Sequence, residues 1–85
     1  VKTLEYKIRI SVGIHARNAL LLSNLASQFS STICIKKGER VENSKKLMSV
    51  MTMRITCGDV VSFVIEGEDE SEALAALREF CEGNL

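Results

Sequence analysis

The chain has 85 residues, 46% of them hydrophobic and 26% charged, with eleven Lys/Arg set against eleven Asp/Glu. That length holds one small domain with a modest core, residues 1–85, and the composition excludes a disordered chain. The balanced charge speaks against a dedicated nucleic-acid binder, no apolar run approaches the ~18 residues of a membrane span, and the first residues lack the apolar block of a signal peptide.

Leu4 to Ile10 alternates in character, which predicts a strand with Leu4, Tyr6, Ile8 and Ile10 on its inner face. Ser11-Val12-Gly13 breaks the pattern. From Ala16 to Phe29 the period turns helical, with Ala19, Leu22, Leu25, Ala26 and Phe29 on one stripe. At ~100° per residue, Leu20 and Leu21 point off that stripe, toward the side of Arg17 and Asn24. Ser30-Ser31 closes this helix. Thr32 to Ile35 predicts a second strand, Lys37-Gly38-Glu39 a tight turn, and Arg40 to Glu42 a short third strand. Asn43 or Ser44 is expected to cap a short helix carrying Leu47, Met48, Val50 and Met51. The turn Cys57-Gly58-Asp59 leads into Val60 to Ile65, the most β-prone run of the chain. Asp69 followed by Glu72 matches a capping box for a last helix with Ala73, Leu74, Leu77, Phe80 and Cys81 on its stripe, and Gly83 is its expected stop. The order β-α-β-β-α-β-α fits an α+β fold in which one face of a sheet is covered by helices.

The sole histidine, His15, stands in Gly13-Ile14-His15-Ala16-Arg17, at or next to the start of the first helix. A helix start offers unpaired N–H groups and the positive end of the macrodipole. An imidazole there, beside an arginine with its fork of donors, can accept a phosphoryl group and have the new charge compensated. Leu20, Leu21, Leu47, Met48 and Met51 form a candidate exposed apolar patch for a partner. A cluster of His15, Arg17 and Lys45 beside that patch suits a protein that docks and hands over phosphate. Cys34, Cys57 and Cys81 have neither disulfide nor zinc spacing and read as small buried hydrophobes, so no metal site is expected. Asp69, Glu70 and Glu72 read as a helix start rather than an acid/base pair. There is no phosphate-cradling loop and no dinucleotide fingerprint, hence no cofactor.

Three segments in order carry a resemblance to a known family: Gly13-Ile14-His15-Ala16-Arg17, Lys45-Lys46-Leu47-Met48-Ser49-Val50-Met51, and Glu66-Gly67-Glu68-Asp69-Glu70. The chain resembles the HPr family of histidine phosphocarriers of the bacterial phosphotransferase system over nearly its whole length. The resemblance implies an open-faced β-sandwich, a four-stranded antiparallel sheet covered on one face by three helices. It implies that His15 takes a phosphoryl group on Nδ1 from phosphorylated enzyme I, charged by phosphoenolpyruvate, and passes it to IIA components of sugar permeases. Arg17 would help hold the phosphate, and Leu20, Leu21, Asn24, Lys45, Leu47, Met48 and Met51 would serve partner binding. Such a protein is a carrier rather than an enzyme, expected to be a monomer in the bacterial cytoplasm. The alternative is an HPr-like regulatory binding module with a reduced or lost role in sugar transport. Two residues depart from the family pattern. Asn18 stands where many members have proline and brings a side chain that can compete for the helix end. Lys46 stands where Gram-positive members carry a regulatory serine.

Overall fold

The computed structural model describes residues 1–85. In chain order the elements are β1 (Lys2–Lys7), α1 (Ala16–Ala26), β2 (Thr32–Lys37), β3 (Arg40–Asn43), α2 (Leu47–Met51), β4 (Val60–Glu66) and α3 (Glu70–Asn84). The four strands make one antiparallel sheet in the order β1-β4-β2-β3. The β-branched run of β4 takes an interior place, as its composition favours. Its Val61, Phe63 and Ile65 are fully buried, and Phe63 is flanked by Leu4 on one side and Ile35 on the other. Ala19, Leu22 and Ala26 of α1, Val50 of α2, and Ala73, Leu77 and Cys81 of α3 complete the core on that face. The architecture is the open-faced sandwich.

Several local expectations are corrected. β1 ends at Lys7, ahead of the predicted Ile10. Ile8 still donates to the Asp59 carbonyl (2.8 Å), but the Arg9 and Ile10 amides turn away to the Leu85 carbonyl (2.6 and 3.0 Å). α1 stops at Ala26 because Gln28 and Phe29 bond three residues back, to Leu25 and Ala26, in a tighter final turn. Phe29 nevertheless packs on the core, so its apolar period persists beyond the helix. Neither Asn43 nor Ser44 caps α2. Lys46 occupies that position without a side-chain bond, Asn43 Oδ1 accepts from the Lys45 amide, and Ser44 is buried with its hydroxyl unpartnered. α3 runs through Gly83 to Asn84 as Leu85 packs into the core. Of the cysteines only Cys81 is buried, which pushes its thiol up to about 12. Cys34 is half-buried and Cys57 exposed.

Asp69 stands at the N-cap position of α3 but makes no cap bond. Its carboxylate reaches across to the Ser30 and Ser31 amides (both 2.9 Å) and to the Ser31 hydroxyl. This clasp requires the chain at Gly67 to lie flush against Ser31, where an added Cβ would come within 2.6 Å of the Ser31 Cα. The clasp therefore joins the entry of β2 to the start of α3. The Ser31 hydroxyl first, then the Ser30 amide, hold the Asp69 carboxyl down from 3.8 to about 2. The folded value is the depressed one. The clasp's contribution is thus complete above about pH 4 and is lost as pH falls through about 2. Asp69→Asn is expected to unfold more easily than the parent at neutral pH, with the difference shrinking between pH 4 and 2. Denaturant titrations across that range check it; a difference independent of pH contradicts the clasp.

Candidate functional site

His15 is the N-cap of α1, in extended conformation (φ −112°, ψ −177°), and its ring is exposed. Nδ1 accepts a hydrogen bond from the Arg17 amide at 3.2 Å. A neutral ring so held carries its proton on Nε2. The reciprocal half of the cap comes from Asn18, whose Oδ1 accepts from the His15 amide at 2.7 Å. Asn18 is buried, and its Nδ2 donates to the Gly13 carbonyl at 3.1 Å. The side chain expected to compete for the helix end instead lies beneath it and locks the loop. A polar residue three positions after the cap was the available sequence signal, with Asn taking the part usually played by Glu or Gln.

The loop before His15 is held from below. Ile14 donates to the Ile55 carbonyl at 3.0 Å. Gly13 has φ +67°, and a Cβ there would collide with the Ile55 carbonyl and lie 2.7 Å from the Thr56 Cα. Only glycine lets the two segments touch. The 56–59 turn beneath is fixed by Asp59, which accepts from the Thr56 amide (2.8 Å) and pairs with Lys37 (2.9 Å). The bond from Lys37 first, then that from the Thr56 amide, holds the Asp59 carboxyl down to about 2.

His15, Arg17, Asn18, Ile10, Leu21 and the end of α3 at Gly83 and Asn84 line a shallow, open depression of about 240 Å³. The Arg17 guanidinium makes no ion pair and no hydrogen bond, and Arg17 is exposed. The depression therefore offers an imidazole nitrogen, a helix-start amide and a free cation fork in one place.

Leu20 and Leu21 are 46% and 43% exposed and Met48 is 67% exposed. On the α1 wheel, Leu20 lies beside Ser23, whose hydroxyl bonds the Lys45 carbonyl at the entry to α2, while Leu21 lies toward α3. Asn24 is exposed between them, whereas Leu47 and Met51 are half-buried anchors of α2. The expected cluster of His15, Arg17 and Lys45 does not form. Lys45 Nζ donates to the Phe29 carbonyl (2.7 Å), just past the opposite end of α1 from His15. Lys46, not Lys45, presents its amine freely at the surface.

Asn18→Ala leaves the His15 amide and the buried Gly13 carbonyl without these partners. It is expected to lower stability by about 1–3 kcal/mol, read from the midpoint of urea unfolding; an unchanged midpoint contradicts the locking role.

A family model described as the PTS HPr component phosphorylation site matches residues 2–83. The phosphocarrier protein HPr of Treponema pallidum is 40% identical over 77 residues, covering 91% of this chain and 85% of the relative. The HPr-like protein Crh of Halalkalibacterium halodurans is 35% identical over 78 residues, 92% of this chain and 93% of the relative. The crystal structure of HPr from Thermoanaerobacter tengcongensis superimposes with a TM-score of 0.91 at 38% identity, over 96% of this chain and 92% of that one. A second structure from that organism is an HPr dimer, with a TM-score of 0.77 at 37% identity over 98% of this chain and 95% of that one.

Proposed function

This chain belongs to the PTS HPr family, and we propose that it is a histidine phosphocarrier, accepting a phosphoryl group on His15 from phosphorylated enzyme I and passing it to IIA components of sugar permeases. The observation that carries this reading is the cap. The nitrogen turned toward the helix start is Nδ1, and the group beside it is the Arg17 amide. In the forward step the Nδ1 lone pair attacks phosphorus. A nitrogen–phosphorus bond forms on His15, the bond from phosphorus to the donor's leaving atom breaks, and that electron pair returns to the donor.

Attack first requires the Arg17 amide to release Nδ1. At 3.2 Å that bond is long for an N–H donor, and a bond of this kind is worth only about 0.5–1.5 kcal/mol net. Once phosphorus is attached, the same amide is placed to donate to a phosphoryl oxygen, and the Arg17 guanidinium can swing onto the other oxygens. The helix start is satisfied before and after transfer. The open depression leaves the group within reach of the next acceptor, which suits a carrier better than a closed pocket does. Exposed Leu20, Leu21 and Met48, with Asn24 between the two leucines, supply the surface on which donor and acceptor dock in turn. On this reading the chain is a phosphoryl carrier rather than an enzyme. No helix is long and apolar enough to cross a membrane.

The second reading is an HPr-like regulatory module. It draws on the likeness to Crh and on the free Lys46 amine, which stands where the family resemblance places a regulatory serine and carries the opposite charge to a phosphoserine. The presence of His15 in a complete cap favours the carrier. The HPr dimer of the Thermoanaerobacter relative makes the monomeric state a matter for light scattering.

Incubation with enzyme I of the host and phosphoenolpyruvate is expected to add one acid-labile phosphate per chain. His15→Asn keeps a good N-cap residue and should take up none. Arg17→Gln keeps the amide, loses the cation, and should slow uptake on the order of tenfold or more. An unlabelled parent, or label that survives His15→Asn, sinks the carrier reading; partner binding without labelling would favour the regulatory one.

A further inference from the structure

We propose that Arg54 is a docking residue, its guanidinium engaging an acidic surface on the protein that presents the phosphoryl group; the inference rests on the phosphocarrier reading above. Arg54 is the only residue other than glycine with positive φ, at +51°. It ends the turn that follows α2, donating to the Met51 carbonyl at 3.3 Å, a place where a chain leaving a helix ordinarily uses glycine. A side chain in this conformation carries a steric cost that glycine would not.

Nothing inside the molecule offsets that cost through the guanidinium. The carbonyls at this end of α2 are satisfied by other cations. Lys37 Nζ donates to the Arg54 carbonyl (3.3 Å) and Arg40 to the Thr52 carbonyl (3.1 Å). The Arg54 side chain is exposed and has neither an ion pair nor a hydrogen bond. A strained position whose side chain does no structural work points to an external use.

Its place says which use. The Ile14 amide bonds the Ile55 carbonyl at 3.0 Å, so His15 and Arg54 are the residues adjoining the two ends of one hydrogen bond. Arg54 does not line the depression at His15, where Arg17 already supplies a cation, so its ligand is not the phosphoryl group. Cations prevail on the surrounding surface, where the nearby carboxylates Asp59 and Glu42 are each paired with a cation, Lys37 and Arg40. Residues 6–38 and 43–58, which include α1, α2 and the His15 loop, contain no Asp or Glu, and most of the acids lie from Glu66 onward. The surface that complements this face is acidic.

The test compares the parent with Arg54→Gly and Arg54→Lys in phosphorylation by enzyme I and phosphoenolpyruvate, resolving KM from kcat at low salt and at about 0.5 M salt. Arg54→Gly should raise KM roughly threefold or more at low salt with kcat unchanged, and high salt should close the gap. Arg54→Lys should stay near the parent. Thermal melting of Arg54→Gly should shift upward as the strain is relieved. An unchanged KM, equal loss in the Lys and Gly variants, or a lower melting temperature for Arg54→Gly overturns the proposal. Failure of the parent itself to be phosphorylated would instead reject the carrier reading.

Discussion

The hydrogen bond from the Arg17 amide to His15 Nδ1 is the interaction on which the account depends. It does three things at once. It begins α1, it selects which ring nitrogen faces the helix start, and it places next to that nitrogen a donor able to change its acceptor. A helix start normally satisfies its amides with a fixed oxygen from Ser, Thr, Asp or Asn. Here the cap is an aromatic nitrogen, which is also a nucleophile. In the proposed carrier the structural bond and the chemical step therefore draw on the same lone pair. In such a carrier a stronger cap would hold the ring in its resting state.

A reactive group at an exposed helix start is useful only if the start does not fray. The chain meets this need from beneath. Asn18 ties the cap residue to the Gly13 carbonyl, Ile14 hangs from Ile55, and Gly13 allows the loop to press on the Ile55–Thr56 backbone. The far wall is set by α3, whose end receives the Arg9 and Ile10 amides at the Leu85 carbonyl. Arg9 adds its guanidinium to the Glu82 carbonyl at 3.0 Å and so closes the same helix end. Sheet, α3 and site loop are thus one mechanical unit. The ring stays open to solvent while the loop beneath it is held by these bonds.

Much of this was legible in the sequence wherever the signal is periodic. The alternation in Leu4–Ile8 and Val60–Ile65 and the stripe of Ala19, Leu22 and Ala26 named the elements and most of the core. The outward turn of Leu20 and Leu21 followed from the same angular arithmetic. His15 at the helix start was legible because Gly13 and the first apolar stripe bracket it. Local spacing says nothing of where a polar side chain will find its partner. Asp69 looked like a cap and became a clasp to Ser30 and Ser31; Lys45 looked like a site cation and went to the Phe29 carbonyl. The Asn18 side chain, a potential competitor for the helix end, is a buried brace. Gly83 has the character of a helix stop, but the helix continues past it to bring Leu85 into the core. For Asp69, Lys45 and Leu85 a contact across the fold outweighed a local preference of about 1 kcal/mol, whereas Asn18 bonds within its own loop.

The most direct test is nitrogen-15 NMR of the His15 ring and the Arg17 amide, before and after phosphorylation. The account predicts that the neutral ring carries its proton on Nε2, that phosphorus couples to Nδ1, and that the Arg17 amide resonance moves as it passes from nitrogen to a phosphoryl oxygen. A proton on Nδ1 in the free protein, phosphorus on Nε2, or an Arg17 amide indifferent to phosphorylation would contradict it.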